Sequence, residues 1–311
     1  MAEEKKKPLS REDVLKAIEK NGGTAKGLDL SGKEFEAGID LHGRDLSGII
    51  LKKAVFKHTV VPRLAGAHLE DANLSDAHLE GAILWYAHLE RANLWYAHFE
   101  GAVLADAHLE EANLFGTYLE ETYLGGAHLE KASLYGAKFS RATGLEDVDW
   151  GKYILGEEKE YEFDLAEHTY RQLKIWYTNA GMYDIAAKFY YREKEANRKA
   201  LKWCSKNWHH RLALQASYLV FGHGERWERI LIWMAVVVFG LAAAYYLWGS
   251  FSSSSFSDTL YYSAASFTAL GYGRWAPQPS GWAKGMGAAE AFMGVFMMAL
   301  LLVTFVRKWT R

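Results

Sequence analysis

A period of five residues runs through the first half of the chain. Written as A-x-L-x-x, successive units read AHLED, ANLSD, AHLEG, AILWY, AHLER, ANLWY, AHFEG, AVLAD, AHLEE, ANLFG, TYLEE, TYLGG, AHLEK, ASLYG and AKFSR, from Ala67 to Arg141 without a gap. Leu64 starts the run one unit earlier. Degenerate units centred on Leu41, Leu46, Leu51 and Phe56 precede it, with Leu30 and Phe35 before those, and His58 to Pro62 interrupts the register. A five-residue period drifts around a helix and changes face at every step of a strand, so neither element accommodates it. A square coil does. Each unit forms one side, and the central Leu or Phe and the small Ala two residues earlier both point inward. Coils then stack at the roughly 4.8 Å spacing of paired strands, and about 22 units give a rod on the order of 25 to 30 Å long.

This pattern resembles the pentapeptide repeat, and the resemblance implies a right-handed quadrilateral β-helix over residues 26–145. The outward positions are ordered too. His68, His88, His108 and His128 recur every 20 residues and should stack on one face. His78 and His98, continued by Tyr118 and Lys138, should form the opposite face, with glutamates two positions on in parallel columns. A solvated polar ladder explains these columns, because near-perfect repeats multiply any outward residue; a metal- or proton-sensing ladder is the alternative. No metal site is assigned. Trp85, Tyr86, Trp95 and Tyr96 read either as an aromatic docking patch or as plain exposure.

The flanking segments divide the rest. Ser10 and Asp13 resemble a capping box at the start of a short helix within residues 1–25. The charged start, followed by no apolar run, does not read as a secretory signal. Residues 146–205 hold an acidic linker and two helices broken at Asn179-Ala180-Gly181, similar to a single tetratricopeptide-like hairpin. That pair should pack on the coil end or on a neighbour, because a lone hairpin cannot bury both of its apolar stripes. Residues 206–229 read as an amphipathic juxtamembrane helix. The single cysteine, Cys204, excludes an intrachain disulfide. A net charge of −2 gives no bulk attraction to nucleic acid, and no such partner is expected. No nucleophile-base constellation or phosphate loop is present, so no enzymatic activity and no cofactor are expected.

Residues 230–311 are different in kind. Ile230 to Trp248 and Met286 to Val306 are apolar runs long enough to cross a bilayer, the second holding Glu290. Arg226 and Arg229 flank the first, and Arg307, Lys308 and Arg311 flank the second. Both termini are therefore expected in the cytoplasm of a multi-pass plasma-membrane protein. Between the runs lies a helix too short to span, Ser257 to Phe267, started by Ser257-Asp258, and then Thr268-Ala269-Leu270-Gly271-Tyr272-Gly273. This arrangement resembles the two-span potassium-channel pore, an all-α unit with a re-entrant pore helix. The resemblance implies a homotetramer in the lipid bilayer, with K+ passing backbone carbonyls of Ala269, Leu270, Gly271 and Tyr272 and Gly273 closing the outer end. It also implies an inner-helix hinge near Gly294, a constriction at Val295, Met298 and Leu302, and an outer mouth at Asp258 and Arg274. The family carries threonine where Ala269 stands and aspartate where Arg274 stands. Glu290 reads as a structural bond to the pore helix rather than an ion ligand.

The expected function is a potassium or monovalent-cation channel whose cytoplasmic repeat domain gates or assembles it, with room for an unidentified cytoplasmic partner. The alternative is a non-conducting membrane-anchored scaffold or DNA-mimic interaction protein.

Overall fold

The computed structural model describes residues 7–56, 62–140, 143–201, 208–222, 227–248, 255–269, 279 and 281–309, with backbone alone at 208, 210, 211, 220, 221 and 307–309. The chain forms two compact units, Met1–Ala200 and Leu201–Arg311.

The first unit opens with α1 (Arg11–Lys20), held by the expected capping box between Ser10 and Asp13. A parallel coil follows. From Arg63 onward its bridges join residues 20 apart, as Arg63 pairs with Ile83, His68 with His88, Asn73 with Asn93 and His78 with His98. Each bridge is a pair of short backbone bonds: Leu69 N–H donates to the His88 carbonyl at 2.7 Å, and His88 N–H to the Ala67 carbonyl at 2.9 Å. Among the described residues, only β1 (Glu34–Phe35) and β2 (Val55–Phe56) are long enough to be strands, paired in parallel with Phe35 opposite Phe56.

Insertions are absorbed between bridges without breaking the ladder. Asp45 pairs with His68, a separation of 23 that spans the interruption at His58 to Pro62; those residues, apart from Pro62, lie outside the described ones. His128 pairs with Asp149, a separation of 21. This last pair carries the ladder past residue 145. One extra residue between Phe139 and Leu145 hides the period, which then resumes with Leu145, Trp150 and Leu155, all buried.

The Leu and Ala columns are almost wholly inaccessible, from Leu64 to Leu134. Each fully buried Leu contributes roughly 1.5–3 kcal/mol relative to exposure. Where Thr117, Thr122 and Thr143 replace the inward Ala, their hydroxyls donate to the Leu94, Phe99 and Leu119 carbonyls at 2.8, 2.8 and 2.7 Å. A buried hydroxyl without a partner would be costly, so these bonds make the substitution tolerable. The corners are turns in which the last residue of a unit takes positive φ, as Asp71 does at 58° and Gly81 at 68°. Glycine does this freely, whereas Tyr86 and Tyr96, at 55° and 52°, hold strain there.

The coil is closed at its C-terminal end by α2 (Gly156–Lys159), α3 (Phe163–Asn179) and α4 (Tyr183–Ala200). The Glu157 carboxylate accepts from the Leu134 and Tyr135 N–H groups at 2.7 and 2.6 Å, standing in for the carbonyls of a further coil. Burial pushes this carboxyl above the usual range against those bonds. Helix α3 docks by its tyrosines. Tyr177 donates to the Leu145 carbonyl and accepts from the Trp150 indole, both at 2.7 Å, and Tyr170 donates to Glu158 at 2.6 Å. The core therefore runs from Val14 through the coil to Phe189 and Ala196 of α4, which answers the hairpin's need for a covering surface.

The second unit contains α5 (Trp208–Phe221), α6 (Trp227–Leu247), α7 (Phe256–Thr268) and α8 (Trp282–Trp309). Helix α6 and the Trp282–Val306 stretch of α8 are each long and apolar enough to cross a membrane. Arg229 donates to the Tyr218 carbonyl at 2.6 Å, placing a cation at the C-terminal end of α5 where the helix dipole favours one.

Candidate functional site

Helix α7 packs against both α6 and α8. Its 13 residues span about 20 Å, less than the roughly 30 Å of a hydrocarbon layer. It starts at Phe256 with Ser255 as N-cap, so the expected start at Ser257-Asp258 shifts, and Asp258 lies in the first turn. Its buried face, Thr259, Tyr262, Ser263, Ser266 and Phe267, is half polar. Each of those groups has work to do. Tyr262 donates to the Ala283 carbonyl at 3.2 Å, Ser266 to the Tyr262 carbonyl at 2.9 Å, and the Ser263 oxygen lies 2.9 Å from the Val238 carbonyl and beside Glu290, its one proton shared between them.

Glu290 of α8 is wholly buried and ties the three helices together. One carboxylate oxygen accepts from Tyr245 of α6 at 3.1 Å, and the other is hydrogen-bonded with the shared Ser263 hydroxyl of α7. A carboxylate in an apolar bundle is tolerated where its lone pairs are met, and here both oxygens are. Glu290 is thus a bond to the short helix, as its place in an apolar run implied. Its partners Tyr245 and Ser263 were not foreseen: nothing in their sequence context distinguishes them from other hydroxyls.

The residues expected to form the ion path divide as follows. Thr268 is the last residue of α7 and returns its hydroxyl to the Ala264 carbonyl at 2.7 Å. Ala269 is the helix cap at φ 53°, in the left-handed region. Leu270, Gly271, Tyr272, Gly273 and Arg274 lie outside the described residues. On α8, Gly294 is buried, and a Cβ there would collide with the Phe267 carbonyl at the end of α7. This glycine lets the long helix approach the short one. Glu290, Gly294 and Met297 lie on the packed stripe of α8, while Val295 and Leu302 are 52% and 63% exposed and Met298 half-buried in the single chain.

The coil's outer face bears the expected ladders. His68, His88, His108 and His128 stack with ring centroids 4.6, 4.8 and 4.9 Å apart. His78, His98 and Tyr118 stack at 4.6 and 4.3 Å, and the Lys138 ammonium lies 4.0 Å over the Tyr118 ring. Each of His68, His78, His88, His98 and His108 sits beside the glutamate two residues on, at 3.0, 2.9, 3.3, 3.0 and 3.2 Å. The hydrogen bond to Glu70 holds the His68 imidazolium above its ordinary range, against partial burial and with help from the charges of Glu70, Asp45 and Glu90.

Comparison with known families divides the chain along these lines. A family described as ion channels matches residues 231–311, and pentapeptide repeats match in eight copies at 63–95, 86–120 and 112–143. The chain joins a pentapeptide-repeat domain to an ion-channel domain. Among solved structures, the repeat domain is similar to a pentapeptide repeat protein of the Arabidopsis thaliana thylakoid lumen, at 28% identity over 32% of this chain and 68% of that one, with a TM-score of 0.21. It is also similar to HetL of a Nostoc cyanobacterium, a protein involved in heterocyst differentiation regulation, at 29% identity over 39% of this chain and 69% of that one, TM-score 0.18. A third, Rfr23 of a Cyanothece cyanobacterium, is 33% identical over 39% of this chain and 66% of that one, TM-score 0.17. No curated protein matches the chain. Both families are non-enzymatic, one a channel and one a repeat protein.

Proposed function

We propose that the chain is one of four identical subunits of a potassium channel, or more broadly a monovalent-cation channel. The observation that carries this reading is the ion-channel match over 231–311, within which a short polar-faced helix between two apolar ones leads into Gly271-Tyr272-Gly273. One chain supplies one filter strand, so a ring of carbonyl oxygens needs several copies around an axis. Helix α7 is the re-entrant pore helix in this reading, and its C-terminal end directs a negative dipole toward the path. The carbonyls of Ala269, Leu270, Gly271 and Tyr272 line the ion sites, and K+ is the permeant ion rather than a cofactor. Val295, Met298 and Leu302 face the cavity as an apolar constriction that closes by dewetting. Gly294 is the point about which the inner helix bends.

Basic residues flanking α6 and α8 support a plasma-membrane orientation with both chain ends in the cytoplasm. The coil, read as a right-handed quadrilateral β-helix, then lies in the cytoplasm and acts as a gating or assembly module. The test is ion flux into proteoliposomes under a potassium gradient, with sodium as control and Gly271→Ala as the filter-disrupted variant. Potassium flux above sodium flux, lost in the variant, supports the reading. No flux from pure assembled protein would overturn it in favour of a non-conducting scaffold, for which Ala269 and Arg274 already depart from the family's filter.

A further inference from the structure

The stacked face of the coil carries chemistry that the pore does not use. Within a coil, each histidine Nδ1 lies 3.0–3.3 Å from a glutamate oxygen at His68, His88 and His108. Two ligands held 2.0–2.2 Å from one ion sit roughly 3.0–3.5 Å apart, so each pair already has the edge length of a coordination shell. The adjoining coil supplies the third corner. His68, Glu70 and His88 form one such group, Glu90, His108 and Glu110 a second, and Glu110, His128 and Glu130 a third, with all donor atoms of a group within 4.8 Å of one another. The opposite face repeats the arrangement once, with His78, Glu80 and His98.

A separate observation points the same way. The second carboxylate oxygens of Glu90, Glu110 and Glu130 are sealed from solvent and have no hydrogen-bond partner among the described residues. Like charges stacked one coil apart repel, and a cation between them would offset that repulsion.

We propose that this face binds a borderline divalent transition metal, represented by Zn2+, at imidazole–carboxylate sites between consecutive coils. Mixed nitrogen and oxygen sets with room for water suit zinc better than calcium or magnesium, which take oxygen ligands alone. Glu110 belongs to two groups, so the column holds one ion at His68–His88 and one between Glu90 and Glu130. With the opposite face the chain takes about three ions, one per independent group.

The experiment uses the full chain in detergent, stripped with chelator, loaded with zinc chloride, desalted and assayed for bound metal, with magnesium and calcium chlorides as controls. Circular dichroism and a thermal melt check that each variant is folded. About three zinc ions and no retained magnesium or calcium are expected, with a higher unfolding temperature when zinc is bound. His88→Gln removes the first ion of the column and Glu110→Gln the second. Their combination leaves only the site of the opposite face. Failure to retain zinc, or retention unchanged in the folded double variant, overturns the proposal. Neither result bears on ion flux, so the pore reading stands or falls separately.

Discussion

The coil and the helical unit solve the burial problem in opposite ways. The coil wraps its apolar residues inside itself: Leu89 and Leu94 show no accessible surface, and the coil's C-terminal end is closed by α2, α3 and α4. The helical unit turns much of its apolar surface outward. Phe292 is 80% exposed and Ile232 61%. Its buried residues are few and half polar, and they serve to hold α7 between α6 and α8. A chain that exposes this much hydrocarbon has a lipid or a second copy as its solvent. The first unit buries its own apolar surface, and the second leaves much of its own for lipid or further copies to cover.

Substitutions probe that contrast. The largest effect is expected from Gly294→Val, whose side chain collides with the backbone carbonyl of Phe267. Backbone cannot step aside as a side chain can, so a loss of about 3 kcal/mol or more is expected, read as a lower unfolding temperature in detergent together with lost flux. Leu89→Ala opens a cavity in the closed coil and should cost about 3 kcal/mol. Urea unfolding of the repeat unit reads it, and flux should persist at temperatures where the coil stays folded.

Glu193→Gln is next, at about 1–2 kcal/mol. The buried Glu193 carboxylate lies 2.6 Å from Lys174 and 3.2 Å from Arg171, joining α4 to α3. Burial opposes its ionisation, but those bonds and the Lys194 charge win and depress its pKa below 4.5. A depressed folded-state value means stability present above pH 4.5 and lost as the pH falls through the depressed value. The variant should melt with less dependence on pH in that acid window; equal dependence would contradict the assignment. Ala269→Thr is the smallest. It restores the family's hydroxyl, yet a β-branched residue at φ 53° costs roughly 1 kcal/mol. Weaker thermal stability with sharper potassium selectivity is expected from the filter reading, and Ala269→Gly should recover the stability alone.

What the residues disclosed follows the same division. Repetition made the coil readable, because every unit reports the same inward Leu and the same outward column, and the histidine stacks appear where the spacing put them. The period was lost to view where a single residue was added, between Phe139 and Leu145, so Trp150 and Leu155 passed for linker. In the helical unit, length and apolarity disclosed α6, α7 and α8 to within a few residues. Its tertiary bonds were not readable. Glu290 meets Tyr245 and Ser263 across 45 and 27 residues, once each, with no repetition to mark them. The left-handed turn at Ala269 was equally hidden, since alanine carries no preference for it.

The claim that the helical unit is one part of a fourfold object is tested most directly by native mass spectrometry of the full chain released from lipid nanodiscs. The account predicts a dominant species of four chains, shifted to smaller species by Gly294→Val and unaffected by Leu89→Ala. A chain that is monomeric or dimeric in the bilayer, with its apolar faces met by lipid alone, would contradict it.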